Sequence, residues 1–383
     1  MVKNIFFLLQ FFLIVFCCKG QQHSNKTLRS IVWDSTTLRR VSAANTNIKY
    51  NGYGRIRQLK NGMLIAIYES SGSIVVVYSN DLGNSWSPPQ TVAPKQSRIN
   101  MTVPDILELS DGSLLSCYNG RPISLSATDK FDIRIKQSFD MGKTWTEEKI
   151  LYQAGHKFED GCWEPSAIQL PNGEIQIYFS NEGIYRNTNE QNISMIRSTN
   201  MGRTWSQQPQ IVSFRTRKRD GMPVPLLLKN RREIVVAIED NAFGSFKPYI
   251  VRSSVKDNWN KTVIENDANR SHALKDTLPS IVYAGAPYIV QLKTGETILS
   301  YQSNEDRLYS TKFTNMKVLV GDEDARNFGN KTTPFNIPLD KACKWNSLTV
   351  LNDDTIIAVT STNAYTSNQV EVWMIKGRLV NIN

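Results

Sequence analysis

Two glutamates, Glu164 and Glu239, have the residue type and setting that catalysis of glycoside hydrolysis needs. Glu164 stands before a proline at the start of an apolar segment, and Glu239 ends the apolar run 234–238. Glycoside hydrolysis uses two facing carboxylates, because one protonates the leaving oxygen while the other stabilises or attacks the anomeric carbon. A glutamate in such a place can instead accept backbone N–H groups or pair with an arginine. Weaker candidates for the same roles are Glu69, Asp160 and Glu182.

A repeated motif, Ser-x-Asp/Asn-x-Gly-x-x-Trp, indicates which elements carry these glutamates. Full copies occupy 79–86, 138–145 and 198–205, at intervals of about 60 residues, and a shortened copy occupies 253–259. Each full copy follows an alternating strand pattern. Its Asp or Asn and its Gly are the residues that a tight hairpin with positive φ requires.

A second repeat lies between these boxes and consists of a strand, a turn and an apolar strand. Its six turns fall at 61–62, 111–112, 172–173, 230–231, 294–295 and 353–354. Together the two repeats predict an all-β, six-bladed propeller of four-stranded blades with Asp-box hairpins. A long β-sandwich would explain neither the period nor the turn chemistry. The last unit has only three strand patterns, so we expect the N-terminal segment 30–41 to supply the fourth and close the ring.

The chain of 383 residues begins with a leader pattern. Lys3 precedes the apolar stretch 5–16, which is short for a membrane span. We therefore predict a signal peptide at 1–20 and a single catalytic propeller domain at 21–383. The protein is then secreted, to the extracellular space or to the periplasm if the host is bacterial. We expect a monomer with no membrane span in the mature chain.

Composition excludes several classes of function. Lys and Arg outnumber Asp and Glu by 45 to 35, but no basic block accompanies the net charge of +10, so we predict no nucleic-acid partner. The three histidines lack ligand spacing, and we predict neither a metal nor another cofactor. Cys162 is interpreted as a small buried residue or as a disulfide partner of Cys117.

Propeller geometry predicts which other residues meet at the glutamates. First strands start, and second strands end, on one face of the disc around the central channel, and we expect an oligosaccharide or polysaccharide to bind there. The candidate substrate-binding residues are Arg55, Arg57, Asp105, Trp163, Met222, Tyr288, Tyr301, Trp345 and Asn346.

The boxes resemble the Asp-box (BNR) repeats of the sialidase superfamily. Within it, the segments 161–165, 177–182, 219–224, 286–288 and 345–348 resemble glycoside hydrolase family 93, the exo-arabinanases. The resemblance implies a retaining exo-acting hydrolase that releases arabinose-type units. It implies Glu164 as nucleophile and Glu239 as acid/base, with the order of roles open, and Tyr301 or Tyr365 as an assisting tyrosine. Asp220 departs from the proline expected there.

Two alternatives remain open. An exo-α-sialidase needs three arginines around a carboxylate. Arg55 or Arg57 can stand for the first and Arg215, Arg217 or Arg219 for the second, but 285–288 offers no third. A non-catalytic carbohydrate-binding propeller would use the same aromatic residues to stack sugars, and its carboxylates would only accept hydrogen bonds.

Overall fold

The computed structural model describes residues 28–45, 47–126, 128–307, 310–366 and 369–382, and the predicted signal peptide 1–20 lies outside them. Within these ranges the chain forms 24 strands in six four-stranded antiparallel sheets and one short 3-10 turn, with no α-helix. No helix in the same ranges is long and apolar enough to cross a bilayer. The predicted six-bladed propeller is confirmed.

Strand β1 (Leu28–Arg40) precedes the first blade. Blade 1 consists of β2 (Asn51–Gln58), β3 (Leu64–Ser70), β4 (Ser73–Ser79) and β5 (Gln90–Ala93). Blade 2 consists of β6 (Ile99–Glu108), β7 (Leu114–Pro122), β8 (Asp132–Ser138) and β9 (Lys149–Gln153). Blade 3 consists of β10 (Cys162–Gln169), β11 (Ile175–Asn181), β12 (Asn192–Ser198) and β13 (Gln210–Ser213).

The second half of the chain repeats this plan. Blade 4 consists of β14 (Asp220–Leu227), β15 (Glu233–Asp240), β16 (Lys247–Ser254) and β17 (Arg270–His272). Blade 5 consists of β18 (Ala284–Gln291), β19 (Thr297–Ser303), β20 (Asn315–Gly321) and β21 (Gly329–Thr332). Blade 6 consists of β22 (Lys344–Val350), β23 (Ile356–Thr362) and β24 (Glu371–Ile382), with β1 as its outermost strand.

The ring is closed by strands from opposite ends of the described chain. β1 pairs antiparallel with β24, from Leu28 opposite Ile382 to Arg40 opposite Trp373. The first strands of successive blades contact one another around the channel, and β2 contacts β22 to complete the circle. The chain therefore encloses one channel, and all six first strands reach it.

The spaces between neighbouring blades hold the hydrophobic core. Val, Ile and Leu alternate along the strands, and the resulting clusters each join adjacent sheets. Cys117 and Cys162 lie in the cluster between blades 2 and 3, and both are buried free thiols, as is Cys343. Packing between blades therefore holds the ring together without a disulfide among these three residues.

The Asp boxes form the hairpins that the sequence predicts. In the second copy, Ser138 Oγ donates to Asp140 Oδ1 at 2.8 Å, and the N–H of Gly142 donates to Ser138 Oγ at 2.7 Å. The N–H and hydroxyl of Thr144 also donate to Asp140, and these hydrogen bonds lower the pKa of Asp140 to about 2. Gly142 has φ 85°, which explains the glycine at this position.

Every first strand carries the same irregularity near its start. The register with the second strand shifts there in all six blades. At the shift one residue has φ between 48° and 55°; these bulge residues are Tyr53, Val103, Glu164, Met222, Ala286 and Trp345. A proline follows four of them, which suits a bulge because proline has no N–H for the ladder.

Each bulge is fixed by the neighbouring blade. The N–H of the bulge residue donates to a side-chain oxygen near the end of the preceding blade's second strand. In blade order these acceptor residues are Glu69, Asn119, Ser180, Glu239, Gln302 and Ser361. The six acceptor residues and the six bulge residues surround the channel mouth and are joined by these hydrogen bonds. Glu164 is one of the bulge residues, and Glu239 is one of the acceptor residues.

Candidate functional site

Glu164 is the bulge residue of blade 3 and is held at both its backbone and its side chain. Its N–H donates to Asn119 Oδ1 at 2.8 Å, and Ser180 Oγ donates to Glu164 Oε2 at 3.2 Å. Ser180 Oγ also accepts the N–H of Met222 at 2.9 Å. Because these partners lie on β7, β11 and β14, three blades fix the position of this carboxylate.

Glu239 is the acceptor residue of blade 4. Its Oε2 accepts the N–H of Ala286 at 2.8 Å. Two glycines leave room for it: a Cβ at Gly221 would lie 3.1 Å from Oε1, and one at Gly285 would lie 2.4 Å from Oε2. The carboxylate therefore fills space that only glycine leaves open at these two positions.

The two glutamates share one electrostatic environment. Burial raises the pKa of Glu164 to about 8, and the negative charge of Glu239 adds to that shift. Burial also raises the pKa of Glu239 to about 7, although the Ala286 N–H and the charge of Arg219 favour its ionised form. Between these values the pair holds a single proton, which is the protonation state that one acid and one carboxylate require.

Both glutamates line one cavity of about 470 Å3 at the channel mouth. Its aromatic walls are Trp163 and Phe158 on one side and Trp345 and Tyr53 on the other. The rings of Tyr53 and Trp345 stack at 4.6 Å with an interplanar angle of 13°, and those of Phe158 and Trp163 stack at 5.6 Å. Flat aromatic surfaces flanking carboxylates suit a sugar ring, which has apolar faces and polar edges.

Two arginines line the cavity with different partners. Arg219 donates to Glu182 Oε1 at 2.7 Å, and the same oxygen accepts Trp163 Nε1 at 2.8 Å. Arg121 lies over the rings of Phe158 and Trp163, at 5.0 and 5.3 Å from their centroids, and forms no ion pair with any described residue. The cavity therefore offers one guanidinium that is not already paired with a carboxylate.

Of the predicted substrate-binding residues, Trp163 and Trp345 line this cavity, whereas four others lie below it. Arg55 donates to the carbonyl of Trp345 and lies 5.1 Å from the centre of the Tyr288 ring, which is itself buried. Arg57 donates to Asp105 Oδ1 at 3.1 Å. Asp105 Oδ2 also accepts from neighbouring blade 3, so it joins strands within the channel.

The remaining predicted residues are also outside the cavity. Met222 and Asn346 line a separate small void that Arg55 and Glu164 also line. The Asn346 side chain is buried, and neither of its polar atoms has a hydrogen-bond partner in the described part of the protein. Tyr301 is buried in the core and donates to Glu305 at 2.8 Å, and Tyr365 donates to the carbonyl of Asn336.

Tyr283, which the sequence analysis did not select, lies beside Glu239. A Cβ at Gly285 would lie 2.5 Å from Tyr283 Oη as well as 2.4 Å from Glu239 Oε2, so both groups crowd that one glycine. Gln302 Nε2 donates to the Tyr283 oxygen at 2.9 Å. Burial, Glu239 and Glu164 all raise the pKa of this phenol, which keeps it neutral. Its position just before β18, opposite Glu239, is the signal that could have identified it.

A metal centre is not indicated in the described ranges, where no three His, Cys, Asp or Glu side chains are placed to hold an ion. The groups that line the cavity include the carboxyls of Glu164 and Glu239, the guanidinium of Arg121 and the aromatic walls, and the Tyr283 phenol lies beside Glu239.

The comparisons with known proteins agree with this architecture. Residues 123–316 match the family model of the BNR repeat-like domain. The chain belongs to this family. No curated protein sequence matches this BNR repeat-like chain.

Solved structures of similar shape include enzymes. An α-L-arabinofuranosidase of glycoside hydrolase family 93 from Fusarium graminearum, in complex with arabinobiose, has 19% identity and a TM-score of 0.68, over 88% of this chain and 97% of that one. An α-L-arabinanase from Penicillium chrysogenum has 19% identity and a TM-score of 0.66, over 89% and 97%. The NanB sialidase from Streptococcus pneumoniae has 11% identity and a TM-score of 0.61, over 88% and 70%. The likeness shows that this BNR repeat-like chain shares their propeller fold.

Proposed function

We propose that the protein is a secreted, retaining, exo-acting glycoside hydrolase that releases arabinose-type units from a polysaccharide side chain. One observation carries the proposal: Glu164 and Glu239, both with raised pKa values and electrostatically coupled, line the same aromatic-walled cavity. Similarity in shape to arabinan-degrading enzymes supports the choice of sugar.

In the proposed reaction the pair works in two steps. The two carboxyls share one proton, and the reactive form is the one with that proton on Glu239, which is the minor form because Glu164 has the higher pKa. In this form Glu164 attacks the anomeric carbon while Glu239 gives its proton to the leaving oxygen, so the glycosidic bond breaks and a glycosyl ester on Glu164 forms. Glu239, now ionised, takes a proton from water, and the resulting attack on the anomeric carbon releases the sugar and regenerates Glu164. The Tyr283 phenol, next to Glu239, is placed to hold the acid in position.

The cavity favours a neutral sugar over a sialic acid. Recognition of a carboxylate by three arginines requires guanidinium groups that are free to bind it. Arg219 is already paired with Glu182, and Arg55 lies against Tyr288 below the cavity. Arg121 alone remains, and its stacking on Trp163 suits a hydroxyl ligand as well as an anion.

The test is hydrolysis of an aryl α-L-arabinofuranoside and of debranched arabinan, with the anomer of the first product followed by NMR. We expect small products, retained configuration, and a loss of kcat of at least about 10³-fold in both Glu164→Gln and Glu239→Gln. Sugar binding without turnover by the unmodified protein would identify a carbohydrate-binding module instead.

Glu69→Gln is the matched control. Glu69 is the acceptor residue of blade 1, has a pKa raised by burial to about 7 and accepts the N–H of Val103, but it does not line the cavity. It thus reproduces the structural position of Glu239 without its access to substrate. Equal losses in Glu69→Gln and Glu239→Gln would mean that the acceptor contact, and not the acid, is what activity needs.

A further inference from the structure

A second cavity adjoins the first one at Trp345. Its volume is about 620 Å3, and it lies where blades 5, 6 and 1 meet, with Tyr50 and Ser361 among its lining residues. Trp345 lines both cavities. The backbone N–H of Trp345 donates to Gln302 Oε1 at 2.9 Å, so the bulge of blade 6 fixes the boundary between the two spaces.

Three lysines line this second cavity: Lys312, Lys341 and Lys344. Asp340 is the one acidic residue that lines it, so the charge of the lining is positive. Two other lysines of the same region, Lys317 and Lys331, pair with Asp306 and Glu305. Among the described residues, no carboxylate forms an ion pair with any of the three cavity lysines.

An unpaired, half-buried ammonium group is unfavourable unless an anion compensates it. Lys344 is such a group: it is half-buried, it adjoins Trp345 in sequence, and burial lowers its pKa with no acid opposing the shift. Lys341 is half-buried as well, whereas Lys312 is exposed at the edge. The arrangement is that of a positively charged site that can bind an anionic ligand.

We propose that this lysine cavity binds an anionic sugar, carrying a uronate carboxylate or a sulfate ester, in the same polysaccharide chain whose neutral unit occupies the first cavity. The inference rests on the proposed function for the identity of that chain. Lysine ammonium groups act as point charges that can bind an anion in several orientations. Trp345 lines this cavity and supplies the apolar surface that a sugar ring needs beside the lysines.

The experiment is isothermal titration calorimetry with three probes of equal length: oligogalacturonate, a sulfated galacto-oligosaccharide and the neutral galacto-oligosaccharide. We expect the anionic probes to bind at least tenfold more tightly than the neutral one, with an affinity that falls as NaCl rises. The relative affinities of the two anionic probes distinguish carboxylate from sulfate. Equal binding of all three probes would overturn the proposal.

The variant for this test is the double substitution Lys341→Gln/Lys344→Gln, and the control is Lys143→Gln/Lys256→Gln. Lys143 and Lys256 are exposed at the Asp-box turns, so the control changes the net charge equally at a distant place. We expect the first pair to weaken oligogalacturonate binding at least tenfold and the second to leave it unchanged. Equal weakening by both pairs would assign the attraction to overall charge and not to this cavity.

Binding and hydrolysis separate the two proposals. Glu164→Gln should bind oligogalacturonate as the unmodified protein does, because Glu164 is absent from the lysine cavity. If the protein binds the acidic probe but hydrolyses no arabinoside, the lysine site is supported and the proposed function is wrong. If the protein hydrolyses arabinosides but binds no acidic probe, the proposed function is supported and the lysine site is wrong.

Discussion

The backbone N–H of Ala286 donates to Glu239 Oε2 at 2.8 Å, and five equivalent contacts recur around the ring. Asn119, Ser180, Gln302 and Ser361 make the same contact with a neutral oxygen. The fold therefore requires an acceptor at this position but not a charge. Glu239 and Glu69 both carry a charge that the contact does not need, but only Glu239 lines the cavity, which is why we assign Glu239 to chemistry.

Neutralising Glu239 should change the titration of its partner. In Glu239→Gln the amide oxygen still accepts the Ala286 N–H, but the negative charge that raises the pKa of Glu164 is gone. We expect the pKa of Glu164 to fall below about 8 but to stay above the ordinary carboxyl range, because burial, the larger cause of the shift, remains. Carbon NMR of protein labelled at the glutamate carboxyl carbon measures it, and an unchanged titration would show that the two groups are not coupled.

The pH dependence of kcat/KM should be bell-shaped. Activity is lost as pH falls through about 7, because both carboxyls then carry protons and no nucleophile remains. It is lost again as pH rises through about 8, because no acid remains. The two apparent pKa values belong to the pair. Initial rates at low substrate concentration between pH 5 and 10 give the profile, and a plateau extending above pH 9 would argue against it.

Gly285→Ala should impair catalysis far more than stability. The added Cβ would lie 2.4 Å from Glu239 Oε2 and 2.5 Å from Tyr283 Oη, so both side chains must move. A displacement of about 1 Å at a catalytic group can lower kcat about 10²-fold. Gly329→Ala is the control, since its nearest atoms would be 3.9 Å away. Kinetics and thermal unfolding of both variants decide whether Gly285 serves the site.

Trp145→Ala should act on stability alone. The indole is half-buried and packs on the cluster between blades 1 and 2, so its loss should cost toward the lower end of about 3–5 kcal/mol. Activity per folded molecule should persist, because the Asp-box turn is on the outer side of its blade. Chemical denaturation and active-site titration test this, with the exposed Glu147→Ala as control. Selective loss of sugar binding in Trp145→Ala would make the box a binding site.

Sialic acid should be neither a good substrate nor a good inhibitor. We expect little release from a fluorogenic sialoside and little competitive inhibition by free sialic acid or its dehydrated analogue. The reason is that Arg219 is paired and Arg55 is buried against Tyr288. Sialoside hydrolysis that Arg55→Ala abolishes would favour a sialidase.

The sequence predicted the ring of blades because the turn residues repeat at a fixed interval, and it predicted that the second strands end on the face that carries the site. In blade 3 it indicated Glu182, but the acceptor is Ser180, and Glu182 instead binds Arg219 and Trp163. The register shift at each bulge determines which second-strand residue becomes the acceptor. That shift depends on contacts with the next blade, which the sequence pattern does not show. The same shift places Tyr288 below the cavity, whereas Tyr283, before the strand, lies beside Glu239.

The pairing of β1 with β24 has a consequence for how the ring assembles. Contacts between the two ends of a long chain carry the largest loop-closure entropy and are slow to form. Until β1 arrives, the 12 residues of β24 present an open edge strand with unpaired N–H and C=O groups. Such an edge is a template for strand exchange with a second molecule. We therefore expect dilution to favour refolding of this chain, and we expect exchange of β1 to link two molecules into a dimer at high concentration.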